Sequence, residues 1–283
     1  MKSSIPSIIL LPILILASTA SCKTNNKEGK LFIIGGGSVT SAMIDKMIFD
    51  TKIDKEGYGV ILPMSSEEPD SAILDFRTLF SERGCNSMYG LNFRKGEAFP
   101  ASRIDSIRNA RLVFMSGGDQ SRFMDIIKGT QIKEAIHEVY EKGGLIGGYS
   151  AGAALMSKKM ITGNELKCPD NPTSFDKIEA GNIEIIEGVG MLEKVIIDQH
   201  FIKRKRLNRL ISACIENPEQ ICVGIDESTA ILVERGKATV YGLNQVVVLH
   251  NSSSEVKVEN GLLGVKDLAL DVYLSGESFR IDD

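Results

Sequence analysis

From Lys30 onward, short apolar runs alternate with amphipathic stretches, and the two spacings predict different elements. Leu31-Phe32-Ile33-Ile34, Tyr58-Gly59-Val60-Ile61-Leu62-Pro63 and Arg111-Leu112-Val113-Phe114-Met115-Ser116 are runs of strand length, and Leu145 to Gly147 is a fourth. Between them Ser71 to Arg83, Ser121 to Lys128 and Gln131 to Lys142 read as helices. A strand that is apolar along its whole length must be covered on both faces, as the strands of a parallel sheet are. Alternation with helices and the right-handed crossover then predict an α/β fold with a doubly wound, mostly parallel sheet. After Gly224 the texture changes to Ala230-Ile231-Leu232-Val233, Ala238-Thr239-Val240-Tyr241 and Val246-Val247-Val248-Leu249, separated by turn residues. These predict antiparallel C-terminal strands closing one edge of the sheet. Functional loops in such folds lie at the carboxyl ends of the strands, here residues 35–38, 117–120 and 149–151.

The last of these loops carries the chemistry. Gly148-Tyr149-Ser150-Ala151-Gly152 is a G-x-S-x-G nucleophile elbow between an apolar run and a helix-forming one. Small residues suit a sharp turn and leave the serine open to a carbonyl, and the helix start at Ala151 points free N–H groups at the same place. The glycine cluster Gly35-Gly36-Gly37 does not complete a dinucleotide fingerprint, because Thr40 stands where the third glycine belongs.

A serine nucleophile needs a base, and the chain has three histidines. His137 lies within the amphipathic stretch 131–142 and His250 opens a polar turn, so both are expected at the surface. His200 follows the apolar Val195-Ile196-Ile197 within Asp198-Gln199-His200-Phe201, at a strand's carboxyl end where the elbow also lies. For the group that orients the imidazole, Asp226 and Glu227 follow Ile221-Cys222-Val223, and spacing does not choose between them. The order serine, histidine, acid disfavours the α/β-hydrolase fold, unless Asp170 or Asp176 is the acid. Behind His200, Leu207, Leu210, Ile211 and Cys214 form a helical stripe with Arg206 and Arg209 on one flank and Arg204 on the other, unless the first turn is irregular. Cations at a helix start oppose its dipole, and a planar fork suits a carboxylate, so these arginines are candidate substrate clamps.

Composition bounds the partners. With 43% hydrophobic and 25% charged residues the chain has material for one sizeable core, and a net charge of −4 offers no field for nucleic acid. Residues 1–21 read as a lipoprotein-type signal peptide: Lys2, an apolar run from Ile8 to Leu16, then small residues. Ala20-Ser21-Cys22 looks like the end of a lipobox, with Cys22 the lipidated residue, 22–30 a polar linker and 31–283 the catalytic domain. Thr19 stands where leucine is commoner, so ordinary secretion is the alternative to a membrane-anchored lipoprotein, periplasmic or at the cell surface. Cys85, Cys168, Cys214 and Cys222 form no C-x-x-C pair; buried free thiols are expected, and no metal or cofactor.

In combination these residues resemble the cyanophycinase family of serine peptidases, family S51, related in fold to class I glutamine amidotransferases and flavodoxin-like proteins. The match runs in order from Lys30 to Leu274 through Gly35-Gly36-Gly37, Ser65-Ser66, Gly117-Gly118-Asp119-Gln120, the elbow, Asp198-Gln199-His200-Phe201 with its three arginines, and Asp226-Glu227-x-Thr229-Ala230. The resemblance implies Ser150 as nucleophile, His200 as base and Glu227 as acid, with the N–H groups of Gly118 and Ala151 holding the oxyanion. It implies Gln120, Asp198, Gln199, Arg204, Arg206 and Arg209 around the substrate, and a homodimer. The implied reaction is hydrolysis of cyanophycin, a poly-aspartate bearing arginine on its β-carboxylates, to β-aspartyl-arginine dipeptides. Alternatives are an aspartyl dipeptidase of the dipeptidase E branch, or a noncatalytic peptide-binding surface lipoprotein. The pattern departs in Tyr149, where members usually have threonine, and in the lipobox, since the polymer is intracellular in its producers.

Overall fold

In a computed structural model that describes residues 28–167, 169, 175–252 and 255–282, the first half of the chain builds one parallel sheet. Its elements run β1 (Lys30–Ile34), α1 (Ser41–Thr51), β2 (Gly59–Leu62), α2 (Pro69–Ser81), β3 (Met88–Gly90), α3 (Ala101–Arg108), β4 (Leu112–Met115), α4 (Gln120–Ile127), α5 (Ile132–Glu141), β5 (Leu145–Tyr149) and α6 (Ala151–Ala154). Local chemistry sets the helix starts: Thr40 caps α1 by accepting from Met43 N, Pro69 opens α2, and Asp119 caps α4 by accepting from Ser121 N and Arg122 N. Strands β1, β2, β4 and β5 are buried on both faces, and successive residues serve different cores. Leu31, Ile33, Val113, Met115 and Ile146 pack into one, and Phe32, Ile34, Leu112, Phe114 and Leu145 into the other.

The second half supplies β6 (Lys159–Glu165), β7 (Ile183–Glu187), β8 (Val195–Gln199), α7 (Leu207–Glu216), β9 (Ile221–Ile225), β10 (Thr229–Glu234), β11 (Lys237–Gly242), β12 (Val246–Asn251), β13 (Val256–Glu259), β14 (Leu262–Val265), β15 (Leu268–Tyr273) and β16 (Ser278–Arg280). The main sheet has the order β16-β11-β10-β1-β5-β4-β2-β3, with β10, β11 and β16 antiparallel at one edge. The Val246 to Leu249 run does not join them. As β12 it pairs with β9 and β15 in a separate four-stranded sheet, β15-β12-β9-β8, in which β8 and β9 are parallel.

Register decides what meets at the carboxyl edge. Ile34 lies opposite Tyr149, Met115 opposite Gly148 and Ile34 opposite Ala230, so the loops after β1, β4 and β5 and the turn before β10 share one rim. Gln199 opposite Ile225 then sets His200 beside Asp226 and Glu227. Signal and lipidation readings at residues 1–21 and Cys22, with Cys168 and Asp170, lie outside the described residues. Cys85, Cys214 and Cys222 are buried free thiols.

Candidate active site

Ser150 occupies a left-handed bend, φ 54° and ψ −109°, between β5 and α6. Such a conformation is rare for a residue with a side chain and is stored at functional sites when the surroundings impose it. Small neighbours allow it: a Cβ added to Gly148 would lie 2.2 Å from Gly152 O. The bend throws the serine hydroxyl out of the sheet, where it donates to His200 Nε2 at 2.8 Å. The N–H groups of Gly118 and Ala151 have no hydrogen-bond acceptor among the described residues, although Ala151 is fully buried. A Cβ on Gly117 would lie 3.3 Å from Ser150 Cβ, so the loop carrying Gly118 touches the elbow. The Ala151 N–H next to the serine and the Gly118 N–H on the touching loop are therefore the donors left available to an oxyanion formed at Ser150.

His200, also left-handed at φ 49°, donates its main-chain N–H to Gly35 O at 2.8 Å. Its ring rests on the glycine loop so closely that a Cβ on Gly36, φ +124°, would fall 2.3 Å from His200 Cε1. Nδ1 lies 2.7 Å from Glu227 Oε1. That bond fixes the tautomer with the proton on Nδ1 and the Nε2 lone pair facing Ser150. Burial pushes the imidazole below its usual range; Glu227 opposes this, and Arg204 and Arg206 reinforce it. The hydrogen bond to His200 in turn lowers the Glu227 carboxyl. Asp226 is occupied elsewhere, accepting from Lys203 N at 2.9 Å, and Asp176 meets Asn208 through its main-chain oxygen. His137 Nε2 pairs with Val189 O and His250 is exposed on β12, both away from the elbow.

A cleft of about 620 Å³ opens beside Ser150, lined among others by Gly118, Asp119, Gln120, Gln199 and the basic turn 204–206. Gln120 spends its amide donors on Ile161 O and Thr162 O, 2.9 and 2.7 Å, which leaves its carbonyl oxygen as an acceptor. The arginines differ sharply. Arg209, 6% exposed, grips Asp198, 1% exposed, through both Nε and Nη2, joining α7 to β8. Arg206 folds back on Gln199, donating Nη1 to both its main-chain and side-chain oxygens. Burial, followed by the charge of Arg209, pushes Arg206 down to about 10, so it stays cationic at neutral pH. Helix α7 begins only at Leu207; Arg204 sits in the preceding turn, exposed and with no ion pair among the described residues. The flank assignment of Arg204 holds only for a regular first helical turn, and residues 201–206 are instead a turn that carries the chain out of β8 behind His200. Lys205, not singled out in the sequence, also lines the cleft and is left-handed at φ 54°.

Comparison with known proteins gives the family. The family model described as Peptidase family S51 matches residues 31–241. A cyanophycinase of Nostoc sp. is 31% identical over 264 residues, covering 89% of this chain and 85% of that protein. Peptidase E of Escherichia coli is 25% identical over 166 residues, 56% of this chain and 67% of that one. The crystal structure of a peptidase from an acI-B1 Actinobacterium superposes with a TM-score of 0.65 at 21% identity, covering 90% of this chain and 98% of its own, a likeness of fold. By the extent of the family match and the identity to the Nostoc protein, this chain belongs to peptidase family S51 and is a serine peptidase.

Proposed function

We propose that the chain is a cyanophycinase-like exopeptidase that releases β-aspartyl-arginine dipeptides from the arginine-bearing aspartate polymer through an acyl-enzyme. The observation that carries the mechanism is the relay Ser150 Oγ to His200 Nε2, 2.8 Å, and His200 Nδ1 to Glu227 Oε1, 2.7 Å. Ser150 Oγ attacks the scissile carbonyl while His200 Nε2 takes its proton, and Glu227 stabilises the imidazolium. The N–H groups of Gly118 and Ala151 hold the developing oxyanion. The tetrahedral adduct collapses, the C–N bond breaks, and His200 returns the proton to the leaving amine. Water then attacks the ester with His200 again as base, and Ser150 is released as the alcohol.

The substrate class rests on the Nostoc relative and on the charge of the cleft. Each repeat of the polymer carries a free carboxylate and a guanidinium. Arg204, without an ion pair among the described residues, takes the carboxylate; Arg206 and Arg209, with Gln199 and Asp198, form the rigid floor behind it. Asp119 Oδ2, whose companion Oδ1 caps α4, faces the cationic end. Lipidation at Cys22, and with it membrane anchorage, belongs to the same reading, as does a homodimer. Incubating the purified protein with cyanophycin and with a panel of aspartyl dipeptides tests the assignment. Dipeptide release from the polymer is expected, with turnover lost by several orders of magnitude in Ser150→Ala. Cleavage of the small dipeptides alone transfers the chain to the peptidase E type, and undiminished turnover by Ser150→Ala overturns the mechanism.

A further inference from the structure

Four successive carbonyls at the end of β1 each accept a hydrogen bond from the surroundings of the relay. Ile34 O accepts from Ser150 N at 2.9 Å, Gly35 O from His200 N at 2.8 Å, and Gly36 O from Ser228 N at 2.7 Å. Gly37 O accepts from the hydroxyl of Tyr149 at 2.8 Å. The first three donors are main-chain groups that any residue but proline supplies. The fourth is a side chain, and it belongs to the residue at which the elbow departs from the family pattern.

Gly37 is left-handed, φ +67°, and a Cβ added to it would lie 2.7 Å from Glu227 Cβ, so the end of this loop backs the acid directly. Beyond it Ser38 is exposed and its N–H reaches Ser228 Oγ at 3.2 Å. The Tyr149 ring meets Phe76 edge-on, with centroids 5.4 Å apart. On the oxyanion side, a Cβ on Gly117 would come within 3.0 Å of Tyr149 Cδ1. One side chain thus touches the loop behind Glu227 and the loop that carries Gly118.

We infer that Tyr149 is a positioning residue, its hydroxyl pinning the Gly35–Gly37 loop against Glu227 while its ring backs the oxyanion loop. The inference rests on reading Ser150, His200 and Glu227 as the catalytic triad. Without the hydroxyl, Gly37 loosens and the Glu227 carboxylate holds the imidazole less firmly. Charged groups acting on His200 are Glu227, which favours its protonated form, and Arg204 and Arg206, which disfavour it. Weakening the first leaves the imidazole easier to deprotonate but poorer at carrying the proton it takes from Ser150. The plateau rate therefore falls while the acid limb moves to lower pH.

Tyr149→Phe isolates the hydroxyl, because the ring and its contacts with Phe76 and Gly117 stay. We expect kcat on cyanophycin to fall about fivefold to tenfold, the scale of one neutral hydrogen bond expressed in rate, with KM unchanged and the acid limb displaced downward. The rate of serine labelling by a small fluorophosphonate falls in parallel, which reads alignment without any peptide. Unaltered kcat, labelling and limb overturn the inference. So does a rise in KM at constant kcat, which makes Tyr149 a wall of the cleft. Ser150→Ala run alongside separates the two readings: its continued turnover refutes the triad, whereas an inert Ser150→Ala beside a Tyr149→Phe that behaves like the parent refutes only the role of Tyr149.

Discussion

His200 is held between opposing influences, and these make its titration a test of the site. Burial is the largest and favours the neutral ring; the Glu227 bond opposes it, and the Arg204 and Arg206 charges add to it. A general base must be neutral, so the acid limb of kcat/KM follows the His200 pKa and lies below the ordinary histidine value of about 6.5. Glu227→Gln removes the influence that raises the pKa, so the limb moves further to the acid side as kcat falls. Arg204→Ala removes a cation that lowers it, so the limb moves toward neutral pH, while kcat/KM on a carboxylate-bearing substrate drops by about tenfold to a hundredfold. pH–rate profiles of the two variants should therefore shift in opposite directions. A common direction would mean that the charges do not act on the base.

Among the elements, the paired arginine and the free one separate structure from binding. Arg209 and Asp198 form a buried bidentate bond between α7 and β8, and removing one partner strands the other charge out of water. Arg209→Ala should lower stability by about 3–5 kcal/mol by that mechanism, read as a shifted denaturation midpoint, whereas Arg204→Ala leaves the midpoint in place. If both variants lose substrate affinity at full stability, Asp198 is not the reason Arg209 is there. This division was only half legible in the sequence, where helical spacing sets Arg204 apart from Arg206 and Arg209 but does not say which is buried and paired. It arises from the turn out of β8, which no periodicity encodes. The parallel strands were legible because their apolar runs are continuous, and the elbow because its glycines have one steric reason to be there. Helix α1 has a weaker signal, Thr40 as a cap before the apolar stripe Met43, Ile44, Met47 and Ile48. The fate of β12 depended on pairing with β9 and β15 across long separations, which alternation within one run cannot specify. The choice between Asp226 and Glu227 likewise depended on the β8–β9 register, and the sequence supplied it only through family resemblance.

For the molecule as a whole, the catalytic rim and the entry of the chain lie at opposite ends of β1. Glu28 and Gly29 precede Lys30 at the amino end of the strand, and Gly35 begins the loop beneath His200 at the carboxyl end. Five residues at about 3.3 Å each put these ends roughly 16 Å apart, on opposite edges of the sheet. The described chain thus enters the domain at the end of β1 away from the cleft, and the basic turn 204–206 lies on the opposite rim, where it meets the carboxylates of a substrate chain. Orientation and catalysis are then separable. Cys22→Ser should move the protein from the membrane to the soluble fraction, while kcat/KM per mole of enzyme on a soluble peptide stays at the parent value. Mass spectrometry should find an acylated Cys22 at the mature N-terminus of the parent. An unacylated start elsewhere would make the protein a secreted peptidase, and loss of activity on release would mean that the anchor contributes to the cleft.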